Sequence, residues 1–244
     1  MVRDRLGEDQ YKQENARFRD LGRKLAQLRD SKVQIKTLDH LIDHFDDIAT
    51  PKTFTEIRRE LRVDYRREYQ RVLDEGVIIS VKNELKDARD AIASWTIESD
   101  DWSTVNKSLK RVYKRGYKGL DKALSEPTAE NLHQWRKRVK YLRYQLKILS
   151  PMWSSLIKKW VDLTHDLSDY LGDDHDLAVL KEYVLDRSKR FDRHNTLEIV
   201  ALIDRRREKL QPQAMLLGKR IYTEKAKRFV KRLSNYWQIW QAEI

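Results

Sequence analysis

Leu132-His-Gln-Trp-Arg-Lys-Arg-Val-Lys-Tyr-Leu-Arg-Tyr-Gln-Leu-Lys147 is the stretch on which the fold turns. Leu132, Trp135, Val139, Leu142, Leu146 and then Leu149 step by three and four, the period of an α-helix with a single apolar seam. His133, Arg136, Lys137, Lys140, Arg143, Tyr144 and Lys147 fall on a neighbouring stripe, about 130° away at ~100° per residue. At a rise of about 1.5 Å per residue this row of cations runs for roughly 20 Å. Like charges three and four residues apart on a helix cost a few tenths of a kcal/mol per pair, and few acids interrupt the row. Two readings follow: a solvated face answered by acids of a neighbouring helix, or a face that binds a polyanion.

The rest of the chain extends the same pattern. It has 244 residues, and Pro51, Pro127, Pro151 and Pro212 act as punctuation between apolar residues spaced by three and four. That spacing predicts helices over 8–28, 30–47, 54–74, 77–97, 102–124, 128–150, 153–171, 174–190, 196–210 and 213–239. Thr53 and Thr128 are read as N-caps, and 96–103 as the most loop-like seam. Only 7 glycines and 4 prolines are present, too few for the turns of a sandwich or barrel. The fold class is all-α, built from antiparallel helical bundles. Cysteine is absent, which excludes disulfide scaffolds, thiolate metal sites and cysteine nucleophiles. No secretory signal is recognised, and the longest uncharged run, 148–157, is too short to span a bilayer and is broken by Pro151. A basic protein of the cytoplasm, with no membrane partner, is expected.

Charge is segregated. Lys plus Arg is 51, Asp plus Glu 39 and the net charge +12. Residues 105–147 hold thirteen cations against three acids, and residues 204–232 hold eleven against three, so the remainder is slightly acidic. Such separation creates a field that attracts polyanions. Lys110, Arg111, Lys114, Arg115 and Lys118 form a dense patch with Tyr113 and Tyr117 between them. Arg59, Arg62, Arg66 and Tyr69 line one side of a helix on which Glu60, Asp64 and Glu68 can pair with the arginines. Lys219 and Arg220 lie in the second basic stretch.

Other signals are weaker. Asp173-Asp174-His175-Asp176 resembles a metal cluster, but adjacent residues on a helix point different ways, and an acidic first turn complementing the helix dipole is the better account. His40 and His44 have two-ligand spacing with no third ligand assigned. There is no glycine-rich phosphate loop, nucleophile triad or recognition-helix motif, so neither catalytic residues, metal nor cofactor is expected. Trp135, Trp153 and Trp160 sit at core spacing rather than as stacking platforms. Internally, Leu21-x3-Leu25-x3-Arg29-Asp30-x2-Val33 matches Leu167-x3-Leu171-x3-His175-Asp176-x2-Val179, and Lys110-Arg-Val-Tyr113 echoes Lys219-Arg-Ile-Tyr222.

Leu-His-x-Trp-Arg-Lys-x-Val-Lys-x-Leu-Arg-Tyr at 132–144, followed by Leu-Gly-Asp-Asp-His-Asp-Leu-Ala-Val-Leu at 171–180, resembles the CHAD family (conserved histidine α-helical domain). Arg19-Asp20, Leu28-Arg29-Asp30-x-x-Val33 and Gly218-Lys-Arg-Ile-Tyr222 fit the same pattern. The resemblance implies two pseudo-symmetric bundles with a basic groove or channel between them that binds inorganic polyphosphate. Residues 1–98 would be the first half and 99–244 the second. Carried over by position, His133, Arg136, Lys137, Lys140, Arg143 and Tyr144 match the second half's basic histidine helix, and Arg19, Arg23 and Arg29 match basic positions of the first. The first half's own histidine helix would fall upstream of Met1, and Met1-Val-Arg-Asp-Arg-Leu-Gly7 reads as its tail. The natural chain is therefore expected to begin earlier; were the helix absent, a homo-oligomer would fill its place. The expected function is non-enzymatic polyphosphate binding, with location at polyphosphate granules in view. The alternatives are a binder of nucleic-acid backbones and a metal-dependent phosphohydrolase using the aspartates and histidines.

Overall fold

The apolar period of three and four resolves into ten α-helices among the described residues: α1 (Arg3–Leu6), α2 (Glu8–Lys24), α3 (Ala26–His44), α4 (Pro51–Asp74), α5 (Val77–Ala93), α6 (Ser103–Ser125), α7 (Ala129–Leu149), α8 (Ser154–Asp186), α9 (Arg193–Ile221) and α10 (Ala226–Glu243). Short 3-10 turns at Ser150–Trp153 and Ser188–Arg190 join them. The structure is a computed structural model that describes residues 1, 3–46, 51–96 and 101–243, without the side chains of 51–53. No strand occurs among these residues. The fold is all-α.

Three of the four prolines punctuate as expected. Pro51 opens α4, Pro127 stands just before α7 and Pro151 lies in the turn that follows it. Thr128 caps α7, its hydroxyl accepting from the Asn131 amide at 3.2 Å. Thr53 does not cap α4, because the helix already begins at Pro51; its side chain lies outside the described residues, as do positions 97–100 of the expected seam.

Four helix boundaries differ from expectation. The α2–α3 break comes at Leu25 rather than near residue 29. Helix α8 runs unbroken through 172–173, where two helices were expected, and α9 runs through Pro212. A proline inside a helix forfeits one hydrogen bond. Here Leu210 and Ala214 are buried on either side of it, so packing overrides propensity. The reverse holds at Tyr222, where a single helix over 213–239 was expected and α9 stops. The buried Tyr113 hydroxyl lies 3.1 Å from both the Ile221 and Glu224 carbonyl oxygens and shares its proton between them, satisfying acceptors freed by the break.

Packing defines two units. One comprises Met1–Arg5, Ile97–His175 and Arg207–Ile244; the other comprises Leu6–Thr96 and Asp176–Arg206. They interleave along the chain and do not coincide with the simple halves 1–98 and 99–244. In the second unit α2 packs on α3 and α5, and α4 on α3 and α5, around Leu38, Leu41, Phe54, Ile57 and Leu61. In the first, α6 and α7 run antiparallel: Gln145 donates to Ser108 at 3.0 Å near one end, and Trp135 meets Gly119 near the other. Helix α10 packs against α6.

The α7 seam is the centre of this unit. Leu132, Trp135, Val139, Leu142, Leu146 and Leu149 are all buried. Their burial is worth on the order of 10 kcal/mol before entropy is charged against it. Trp135 fits only because two glycines face it. A Cβ on Gly119 would come within 2.9 Å of its ring, and one on Gly218 within 2.5 Å. Those glycines let α6 and α9 close on the indole, and the seam's orientation fixes where the cationic stripe of α7 emerges.

Candidate functional site

The seam turns one side of α7 inward and leaves His133, Arg136, Lys137, Lys140, Arg143, Tyr144 and Lys147 half-buried or exposed along the next face. Of the two readings of this row, the first calls for acids of a neighbouring helix at pairing distance. Among the described residues no carboxylate lies within ion-pair distance, 4.0 Å, of Arg136, Lys137, Lys140, Arg143 or Lys147. Two polar atoms on the row, His133 Nδ1 and Arg143 Nε, are buried without a hydrogen-bond partner among the described residues. Native proteins rarely leave such atoms unsatisfied without water or a ligand to meet them.

His133 packs on His175 of α8 with ring centroids 4.0 Å apart and planes tilted by 34°. Burial, then the neighbouring His175, Lys137 and Arg136 charges, lower its pKa to about 4, so the imidazole is neutral near pH 7. Arg136 reaches across to the same helix, its Nε donating to the Ser168 carbonyl at 3.4 Å. Gly172 is what admits the guanidinium, since a Cβ there would meet Arg136 Nη2 at 2.8 Å. At the start of α7, Glu130 accepts from Gln134 at 2.6 Å, and this bond foremost holds its carboxyl below the usual carboxylate range.

The Asp173–Asp176 run corrects the sequence reading. It is not the first turn of a helix but the middle of α8. Asp174 is only 1% exposed and takes a two-point ion pair from Arg207 of α9, 3.0 Å to Nε and 3.3 Å to Nη2, plus a 2.8 Å bond from Gln211. A partner 33 residues away is invisible to a local reading. The consequence is that this acid is committed to α9 and does not neutralise α7.

Helix α6, packed beside α7, adds Lys107, Lys110, Arg111, Lys114, Arg115 and Lys118, which line one surface depression. Arg111 is the exception, pairing with Asp4 at 3.3 Å. Tyr117 is exposed between these cations, whereas Tyr113 is buried. Burial pushes the Tyr113 hydroxyl up to about 12, so it stays protonated as a donor to the carbonyls. Lys219 and Arg220 are exposed near the end of α9.

In the other unit the expected pairing partners differ. Arg59, Arg62 and Arg66 are exposed on α4, but Glu60, Asp64 and Glu68 do not serve them. Glu60 faces Arg190 at 3.8 Å, Asp64 pairs with Arg67 at 3.2 Å and Arg187 at 3.7 Å, and Glu68 takes Arg71 at 2.5 Å. Arg66 Nε donates to the Arg62 carbonyl at 3.2 Å. By contrast Arg19 and Arg23 share Asp20, at 3.0 and 3.2 Å, and Arg29 pairs with Asp30 at 2.7 Å.

One further expectation is revised. Trp153 is 48% exposed, meeting Tyr236 edge-on, because the turn after α7 carries it to the surface. His44 of the spaced histidine pair faces Arg206, 3.3 Å away. Among the described residues no three His, Asp or Glu side chains gather as a metal site, and no helix is long and apolar enough to cross a membrane.

A helix with a buried tryptophan seam, a histidine in its first turns and a cationic row beside them, met by a second helix whose histidine packs on the first, defines an all-helical module. Residues 1–185 match the family model of the CHAD domain, and the chain belongs to that family. No curated protein and no solved structure matched it.

Proposed function

We propose that this chain binds inorganic polyphosphate without chemically altering it, through the cationic face of α7 with α6 beside it. The observation that carries this reading is the row Arg136, Lys137, Lys140, Arg143 and Lys147, held at a helical pitch with no carboxylate within 4.0 Å among the described residues. Family membership supports it independently. A linear polyanion offers no bases to read, so a row of point charges and forked guanidiniums is chemically sufficient. Arginine binds phosphate oxygens in pairs, and lysine acts as a compact charge. The Arg143 guanidinium and the exposed Tyr144 hydroxyl supply directed hydrogen bonds.

The main contact set is His133, Arg136, Lys137, Lys140, Arg143 and Tyr144, extended by Arg115 and by Lys219 and Arg220. Arg111 contributes after release from Asp4. Arg59, Arg62 and Arg66 form a second exposed row on their own unit. Arg19, Arg23 and Arg29 contribute least, since each already serves an aspartate. A cytoplasmic protein that gathers at polyphosphate granules follows from this partner, and weak non-specific attraction to nucleic acid follows from the same charges.

The test is a competition series at fixed ionic strength. Long-chain polyphosphate should displace a labelled polyphosphate far better than ATP or pyrophosphate, because only a long anion spans the adjacent rows of α6 and α7 at once. It should also outcompete DNA and RNA at equal phosphate concentration. Equal affinity for pyrophosphate would replace the extended face by one small pocket, and preference for nucleic acid would favour the backbone-binding alternative.

A further inference from the structure

A cavity of about 310 Å³ opens in the same unit and belongs to neither cationic row. Its wall is Leu142, Leu146, Trp160, Leu163, Leu217 and Phe229. Apolar cavities of about half that volume stay dry and take up benzene, and ligand pockets begin near 300 Å³. A void this size beside well-packed Leu142, Leu146 and Phe229, all buried, has room for a two-ring body.

The wall has a shape as well as a volume. Phe229 and Trp160 stack with centroids 5.4 Å apart and planes only 14° from parallel, and Tyr113 stacks on Phe229 at 4.0 Å and 20°. Both faces of Phe229 are thereby covered, so its edge borders the cavity, and a ring edge packs on the face of a planar aromatic better than on a flexible chain. The rim carries the charge. Arg232 lies over the Trp160 ring at 4.2 Å and is ion-paired with Glu224, so those two cancel. Arg220 lines the same rim, is exposed, and has no carboxylate within 4.0 Å among the described residues. The net rim charge is one positive unit.

We propose that this cavity is a binding site for a small flat aromatic monoanion, its ring body between Trp160, Phe229 and the leucines and its carboxylate or sulfonate on Arg220. Charge complementarity selects a single negative head group, because a second would face Glu224. The cavity shares only Arg220 with the extended polyphosphate contact set and none of the cations of α6 or α7.

The probe is anilinonaphthalenesulfonate, an aromatic monoanion whose fluorescence reports burial. One probe should bind per chain. Leu217→Trp, which fills the cavity from a residue outside the cationic rows, should remove that binding and leave polyphosphate affinity unchanged. Arg220→Glu, at an exposed position, should weaken it about tenfold or more by replacing an ionic hydrogen bond with repulsion. Naphthalenesulfonate should displace the probe better than decanoate. If near-UV circular dichroism shows Leu217→Trp to be misfolded, Arg220→Glu alone decides. Several weak probe sites per chain, unchanged affinity in Arg220→Glu, or decanoate competing as well as the aromatic would each overturn the proposal.

Discussion

Helices α2 and α3 carry arginines in a sequence context where an aspartate stands next door, and α7 carries cations with none. Arg19, Arg23 and Arg29 each lie within 3.2 Å of Asp20 or Asp30. Along α7 no carboxylate of the described residues comes within 4.0 Å of five cations of the row. The two regions are alike in residue type and opposite in availability. An exposed ion pair is worth little to stability, about 0–1 kcal/mol, yet it halves what the arginine offers an incoming anion. Counting Lys and Arg therefore overstates the first region and not the second.

Breaking the acid that α7 does not use should give the largest effect. Asp174 is held by Arg207 in a buried pair, and removing one member of such a pair costs roughly 3–5 kcal/mol. Asp174→Ala should lower the chemical-denaturation midpoint sharply. A small change would mean that Asp174 is not committed to Arg207 and is free to answer α7.

Charge reversal of the row comes next. Lys137→Glu, Lys140→Glu and Arg143→Glu together should weaken polyphosphate binding by roughly two orders of magnitude, as loss of several phosphate contacts does for nucleic-acid binders. Melting should stay nearly unchanged, because like-charge crowding on the helix is relieved as fast as it is replaced. Unfolding instead would show the row to be structural. The matching reversal of Arg19, Arg23 and Arg29 should change affinity by less than about threefold; an equal loss in both sets erases the distinction between the regions.

A smaller effect should be seen in pH. His133 titrates near 4 in the folded protein, below the ordinary 6.5, chiefly through burial. The unfolded chain thus takes up this proton first. The stability that depends on the neutral ring is complete above pH 6.5 and is lost as pH falls from 6.5 through 4. A bound polyanion acts oppositely, favouring the imidazolium, so binding draws a proton in that window. Affinity should rise as pH falls from 7 toward 5, by at most about tenfold, and His133→Gln should flatten the rise. A pH profile identical in wild type and His133→Gln would separate His133 from the ligand.

The legibility of these features in the sequence follows the range of the interaction. The α7 seam and its stripe were readable because both are set by one helix's period, and so was the adjacency of Arg19 to Asp20. What escaped depends on partners far along the chain. The run at 173–176 looks like a helix start because carboxylates favour that position, but Arg207 and Gln211 of α9 stabilise Asp174 in mid-helix. Pro212 looks like a terminator, yet the buried Leu210 and Ala214 carry the helix past it. The stop at Tyr222 has no local turn signal and is stabilised by the Tyr113 hydroxyl. Glu60 and Asp64 are met from outside α4 by Arg190 and Arg187, whereas Glu68 is taken by Arg71 one turn along the same helix. The only early hint of the Tyr113–Tyr222 contact was the echo of Lys-Arg-Val-Tyr in Lys-Arg-Ile-Tyr, whose tyrosine rings meet 5.1 Å apart.

The most direct measurement is the salt dependence of long-chain polyphosphate binding, taken for the wild-type chain and for the Lys137, Lys140 and Arg143 triple reversal. Each cation that meets a phosphate releases about one counterion and adds about one to the slope of log Kd against log salt. The wild type should show a steep slope, and the triple variant a slope shallower by about three. Parallel lines for the two proteins, however different their affinities at one salt concentration, would place the polyphosphate somewhere other than the cationic face of α7.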